Sequence, residues 1–237
     1  MRIALVELVG YREWTESLGD DREWIIQAGQ AGLYEKLQLA AARLGGFAFP
    51  LRYDYLLIIA TGLGKRDLQE ILDTIRLTSR LPVRMSSTAG TTPSSAVLRA
   101  QEMLKRTPAG ELSYEPGNDG VTVLAHVDIN DITGSTASDG IPKSLVVIAD
   151  LVSGVTRLAY RHGGIAQYLG GDNVLVLLPD RGYEGFAQEV VDEFNVKVGI
   201  GVARLARTAM MLSSKALHEI RESRAKSNIH VIEEGVG

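Results

Sequence analysis

Apolar positions along this chain switch between a period of two and a period near 3.6, and the switches delimit its elements. A β-branched and apolar run over residues 2–9 predicts a strand. Residues 10–15 follow as a turn that carries an aromatic pair, Tyr11 and Trp14. From Gln27 to Arg43 the spacing of Leu33, Leu37, Ala40 and Ala41 is helical, and Gly45-Gly46 stops it. A hairpin over 47–60 turns at Arg52, Tyr53, Asp54 and Tyr55. After it come a helix over 66–79, a strand over 82–89, and a helix over 93–105 with Pro93 in its first turn.

Residues 107–120 hold two prolines and three glycines and read as the linker between two domains, 1–106 and 121–237. Beyond them the order recurs: strand 121–129, turn 130–140, helix 142–161, hairpin 165–178, helix 183–194, strand 196–203, helix 206–223 and a closing strand 229–232. Such recurrence predicts a duplicated α+β chain. Arg52, Tyr53, Asp54 and Tyr55 take the place in the first copy that Gly170, Gly171, Asp172 and Asn173 take in the second. The spacing is nearly kept, with 47 positions from Glu7 to Asp54 and 44 from Asp128 to Asp172. The chemistry is not kept, and only the second copy carries two carboxylates with a double glycine.

In that second copy the strand delivers Asp128 into a polar turn, and alternation puts Leu124, His126, Asp128 and Asn130 on one face. Asp172 falls at the tip of a glycine hairpin. Two carboxylates at neighbouring strand ends, with glycines that admit close approach to the backbone, suit Mg²⁺ carrying a nucleoside triphosphate. Backbone N–H groups of Asp131, Ile132, Thr133 and Gly134 are placed to meet phosphate oxygens, although no P-loop sequence is present. The plainer alternative is that residues 128–131 only cap a helix and that the Gly-Gly-Asp hairpin is only a turn. Lys143, Arg161, Lys197 and Lys215 are candidates to neutralise phosphate or are solvated surface cations. Tyr11, Trp14, Arg52 and Asp54 are candidates to line a purine pocket, with Asp54 accepting from a guanine edge; for Tyr11 and Trp14 the alternative is core packing or a contact between the two copies.

Composition narrows the classes. Among 237 residues there is no cysteine, which excludes disulfides, thiolate metal sites and thiol nucleophiles. The four histidines, His126, His162, His218 and His230, lack ligand spacing and read as structural or surface residues. A net charge of −4 without a basic tract argues against a nucleic-acid partner. No apolar run approaches a membrane span, and the chain enters a strand directly after Met1-Arg2, so a cytoplasmic protein without a membrane partner is expected.

With these residues in place, the chain resembles the archaeal GTP cyclohydrolases of the third type along nearly its whole length. The resemblance is carried by residues 124–134 (LAHVDINDITG), by Gly170 to Asn173 and by residues 197–202 (KVGIGV), and more weakly by residues 11–15 and 49–62. It implies two tandem palm-like, ferredoxin-related domains, each a mostly antiparallel sheet with helices packed on one face, assembled as a homodimer or homotetramer. It implies that Asp128 and Asp172 are catalytic and hold Mg²⁺ with the carbonyl of Ile129, and that Asn130, Asp131, Thr133, Gly171 and Asn173 lie against the nucleotide. The implied reaction opens the imidazole ring of GTP and gives 2-amino-5-formylamino-6-ribosylamino-4(3H)-pyrimidinone 5′-phosphate, an early intermediate toward riboflavin and deazaflavin cofactors. Departures lie in the first copy, where Glu7 stands two places before the family's Asp-Asn pair and Tyr55 follows Asp54. Two rivals stay open: a nucleotidyl or diguanylate cyclase, and a guanine-nucleotide-binding regulator without turnover. Against the cyclase, Asn173 and Val174 follow the Gly-Gly-Asp where Glu and Phe would be expected.

Overall fold

A computed structural model describes residues 1–222 and 227–235, and the chain divides into two compact units: residues 1–90 with 95–119, and residues 91–94 with the chain from Gly120 onward. The first unit is built from β1 (Arg2–Leu8), α1 (Tyr11–Ser17), α2 (Glu23–Arg43), β2 (Phe47–Arg52), β3 (Tyr55–Ile59), α3 (Lys65–Arg76), β4 (Val83–Ala89), α4 (Pro93–Leu104) and β5 (Leu112–Tyr114). The second contains β6 (Thr122–Ile129), α5 (Ile132–Asp139), α6 (Ile141–Arg161), β7 (Ile165–Gly170), β8 (Asn173–Leu178), α7 (Tyr183–Glu193), β9 (Val196–Ala203), α8 (Ala206–Glu222) and β10 (Ile229–Glu233). Ser223, the expected last residue of the final helix, lies outside the described residues. No helix among the described residues is long and apolar enough to cross a membrane.

Each unit is one five-stranded sheet, in the order β2-β3-β1-β4-β5 and β10-β9-β6-β8-β7. The two orders are the same topology. In both, the first strand lies at the centre, antiparallel to a hairpin strand on one side and to a crossover strand on the other, and a short last strand runs parallel at one edge. Alternation sets the core of each. In β1, Ala4, Val6 and Leu8 face Leu33 and Leu37 of α2 and Leu68, Ile71 and Leu72 of α3. In β6, Val123, Ala125 and Val127 face Leu151, Val155 and Leu158 of α6 and Phe186 and Val190 of α7. Each fully buried Leu, Ile or Phe stabilises the fold by about 1.5–3 kcal/mol, so these clusters hold the sheets to their helices.

The α+β duplication is as expected, and three details differ. First, helices cover both faces of each sheet instead of one. The α4 helix lies against the other face of β4, where the Ser86 and Thr88 hydroxyls donate to the carbonyls of Ala100 and Ala96. The α8 helix lies against the other face of β9, where a Cβ on Gly199 or Gly201 would fall 2.4 Å from the Ser213 carbonyl oxygen or 2.0 Å from that of Ala209. Second, the two expected turns after the central strands are short helices, α1 and α5; neither has an apolar face to announce it, and neither buries a residue. Third, all of the expected linker 107–120 except Gly120 belongs to the first unit. Its β5 pairs in parallel with β4, as β10 pairs with β9, and Asp119 accepts from the buried guanidinium of Arg2 at 2.7 Å. A three-residue strand in a Pro- and Gly-rich segment is defined by the edge it meets, and its own composition says little.

Candidate functional site

The central strand of the second unit ends in Asp128, whose residue is only 4% exposed. Register sets Asn173 of β8 on one side of it and Lys197 of β9 on the other. A carboxylate so enclosed needs a counter-charge, since an unpaired buried anion is costly. Arg221, in the last turn of α8, supplies it: Nη2 donates to Asp128 Oδ1 at 2.5 Å. Nothing in the sequence joins these residues, which lie 93 positions apart.

Asp172 sits at the hairpin tip because Gly170 and Gly171 adopt φ of +106° and +61°, backbone that side-chain-bearing residues rarely take. A register shift between Tyr168 and Gly170 accompanies the bend, and the Tyr168 hydroxyl donates to the Gly171 carbonyl at 2.9 Å. Asn173 then links Asp172 to the strand floor. Its Nδ2 donates to Asp172 Oδ1 at 2.8 Å, and its Oδ1 lies 2.9 Å from His126 Nε2. An amide oxygen only accepts, so this pairing assigns the proton to Nε2 and leaves Nδ1 as a bare acceptor. That Nδ1 is buried and has no partner among the described residues. Burial lowers the His126 pKa from the ordinary imidazole value, against the opposing pull of the Asn173 hydrogen bond and of Asp128.

Past the strand, the Asn130 backbone N–H donates to the Asn195 carbonyl, and its Nδ2 donates to Asn195 Oδ1 at 2.9 Å. Asn130 Oδ1 stays buried without a partner among the described residues. Asp131 has the one positive φ of any non-glycine described residue, +53°, and caps α5 by accepting from the Gly134 N–H at 3.2 Å. A Cβ on Gly134 would lie 2.5 Å from that carboxylate, so the glycine is what lets Asp131 close over the helix. For Asp131 the plainer alternative of a helix cap therefore describes its hydrogen bond. Thr133 is exposed in the first turn of α5.

Other candidates have partners of their own. Asp54 is in the first unit, where its carboxylate takes Arg52 Nε at 2.8 Å and Nη2 as well, while Arg52 also lies over the Tyr55 ring. Tyr11 and Trp14 pack against each other with ring centroids 5.7 Å apart. Lys143, Arg161 and Lys215 are engaged by Asp139, Glu189 and Glu219. Of the four cations considered, Lys197 alone stands beside Asp128 in register. Three histidines also meet carboxylates, His162 with Glu189, His218 with Glu222 and His230 with Glu219. His126 differs from them by facing the Asp172 hairpin. Alternation had set it on the face of Asp128, and that was the available signal; Arg221 and Asn195 carried none.

The Asp128 and Asp172 carboxylates, which both act on His126, are oxygen donors, and the buried Asn130 Oδ1 at the end of the same strand is unpaired among the described residues. That chemistry fits a hard divalent cation. Magnesium takes one or two protein carboxylates and fills its shell with water and phosphate, so a larger cage is not required. Among the described residues no group of three or more acidic or histidine side chains is placed to hold a metal unaided.

Among solved structures, the active GGEEF domain of a diguanylate cyclase from Vibrio cholerae aligns with a TM-score of 0.42 and 14% identity, covering 59% of this chain and 89% of that one. GTP cyclohydrolase III of Aeropyrum pernix is 41% identical over 225 residues, 93% of this chain and 92% of that protein. The proteins of the same name from Saccharolobus solfataricus and Pyrobaculum calidifontis are 35% and 38% identical, covering 96% and 93% of this chain and 97% and 94% of theirs. The family model described as GTP cyclohydrolase III matches residues 1–234. With both units spanned by that match and relatives above 30% identity over almost all of its length, the chain belongs to the GTP cyclohydrolase III family.

Proposed function

We propose that this chain is a Mg²⁺-dependent hydrolase that opens the guanine imidazole ring of GTP. Its product would be 2-amino-5-formylamino-6-ribosylamino-4(3H)-pyrimidinone 5′-phosphate, with the β and γ phosphates released. The observation that carries the proposal is the register of β6 with β8, which sets buried Asp128 against the start of the strand that Asp172 leads into. Membership of a family named for GTP cyclohydrolysis supplies the substrate and the class of reaction.

In this proposal Asp128, Asp172 and the Ile129 carbonyl hold the cation. When bound, Mg²⁺ supplies positive charge for the phosphoryl oxygens and acidifies water. The remaining work falls to the chain. Asn173, gripped by His126, fixes the rotamer of Asp172 by donating to one of its oxygens. Lys197 adds charge beside Asp128 for a polyanionic substrate. Asn130 offers its unpaired Oδ1 to a donor on the nucleotide, and in this reading Thr133 and Gly171 lie against the nucleotide as well. At the ring, water adds to C8, the C8–N9 bond breaks, and N9 departs with a proton while the formyl group stays on the other nitrogen. A second hydrolysis, between the α and β phosphates, removes pyrophosphate.

Incubation with GTP and Mg²⁺, followed by ultraviolet absorbance and mass spectrometry, tests the proposal. The expected result is loss of the purine chromophore and appearance of the ring-opened monophosphate. A purine spectrum that persists beside a cyclic or dimeric nucleotide would assign the cyclase reaction instead. GTP binding without any product would assign a regulator.

A further inference from the structure

Arg221 has no part in the chemistry proposed above, yet it makes the most consequential contact in the site. Its side chain is 50% exposed, while that of its partner, Asp128, is 5% exposed. The carboxylate is therefore fixed in the sheet and the guanidinium is not. Contact is through a single nitrogen, Nη2, and not through both arms of the planar fork that makes arginine–carboxylate pairs strongest. With its stem in water, the arginine can rotate away without opening the core. The helix that carries it packs closely on the sheet, because Gly199 and Gly201 bring the α8 backbone at Ala209, Ser213 and Leu217 against β9.

We infer that Arg221 is the resident counter-ion of Asp128, which it neutralises in the absence of a divalent cation and releases when the cation binds. This rests on the metal-holding role proposed for Asp128. A guanidinium and a divalent cation repel each other across one small carboxylate, so each excludes the other. The chain then carries its own competitor for the metal. Cation affinity in the nucleotide-free protein is held low, and Asp128 is never left as an unpaired buried charge.

Mn²⁺ serves as the probe, titrated into nucleotide-free, chelator-stripped full-length protein and followed by electron paramagnetic resonance of the free ion. Arg221→Gln is expected to bind Mn²⁺ about tenfold more tightly than the parent, or more, since the cation then meets an uncompensated carboxylate. Placing Arg221→Gln in an Asp128→Asn background is expected to change nothing, because the competition has lost its object. Mn²⁺ affinity in Arg221→Gln equal to or weaker than in the parent, with Asp128→Asn still defective, would overturn the role of Arg221 and leave the metal site standing. Parent-like binding by Asp128→Asn would remove both. Should Arg221→Gln be unfolded without metal, refolding it in Mn²⁺ is expected to restore native circular dichroism, and failure to refold in either condition would also overturn the inference.

Discussion

Glu7 and Asp128 occupy the same place in the two units. Glu7 lies between Tyr55 and Arg84 in register, and Asp128 lies between Asn173 and Lys197. Register therefore equates Tyr55 with Asn173 and Arg84 with Lys197. In the first unit the cross-strand cation closes on the carboxylate: Arg84 Nε donates to Glu7 at 2.8 Å, and its Nη1 is tied down by the Thr107 carbonyl at 3.0 Å. In the second unit Lys197 makes no ion pair among the described residues, and the counter-charge comes from a half-exposed side chain on α8. An acidic residue at a strand end is thus a fastening when its partner is built into the sheet. It is available to a ligand when its partner can leave.

The comparison breaks most sharply by neutralising each carboxylate in turn. Asp128→Asn is expected to lower kcat/KM at least about a thousandfold, as loss of a metal-holding charge removes several kcal/mol of transition-state stabilisation. Circular dichroism should show a native fold, because asparagine is nearly isosteric. Glu7→Gln should do the reverse. Leaving Arg84 short of a charged acceptor costs about 1–3 kcal/mol in urea unfolding, while GTP turnover stays within about threefold of the parent. Equal losses of turnover in both variants would show that the two positions share one task.

The next largest effect concerns how each unit seats its last helix. A Cβ at Gly201 would fall 2.0 Å from the Ala209 carbonyl oxygen and 2.5 Å from the Ser213 nitrogen, so Gly201→Ala must drive α8 off the sheet. Destabilisation of at least about 3 kcal/mol is expected, and Arg221 moves with the helix. By register Thr88 takes the place of Gly201 in the first unit, and Thr88→Val loses only the hydroxyl's 2.9 Å bond to the Ala96 carbonyl, at about 1 kcal/mol. Thermal unfolding of the two variants should rank in that order.

This contrast also shows which parts of the molecule could be read from residues alone. Alternation locates Asp128 and His126 on one face of β6, and paired glycines locate the hairpin, because both are local facts about backbone and side-chain direction. The near-equal spacings from Glu7 to Asp54 and from Asp128 to Asp172 expose the duplication for the same reason. Arg221 is illegible because its role depends on how α8 lies across β6 and β9, a tertiary fact with no local trace. The α5 helix escapes because it buries nothing and is held by the Asp131 cap. The β5 strand escapes because three residues beside prolines become a strand only against the free edge of β4. Gly199 and Gly201 stand in plain view, yet within a strand pattern they read as weak points; the α8 backbone pressed against them explains them.

A smaller effect separates the two hairpins. No residue of positive φ occurs in the β2–β3 turn, whereas Gly170 holds +106°, outside even the left-handed helical region open to other residues. Gly170→Ala is expected to cost about 1–3 kcal/mol and to raise KM for GTP by displacing Asp172 from β6. Parent-like KM together with the stability loss would mean that the bend shapes the hairpin without aiming its carboxylate.

The smallest effect is read in alkali at the Tyr55 and Asn173 pair. Burial, followed by the nearby charge of Glu7, raises the Tyr55 pKa above its ordinary value of 10.0. In the folded chain the phenol therefore keeps its proton to higher pH than in the unfolded chain. Its contribution is complete below the unfolded pKa and is lost as pH rises through the raised folded one. Tyr55→Asn installs the residue of the second unit and deletes this contribution, so urea midpoints measured from about pH 9 to 11 should fall less steeply than in the parent. Tyr11, Tyr34 and Tyr183 are also raised and titrate in both proteins, which limits the difference to one phenol's share. Superimposable alkaline slopes would show that neither burial nor Glu7 raises the Tyr55 phenol, and the closed character assigned to the first unit's strand end would then rest on Arg84 alone.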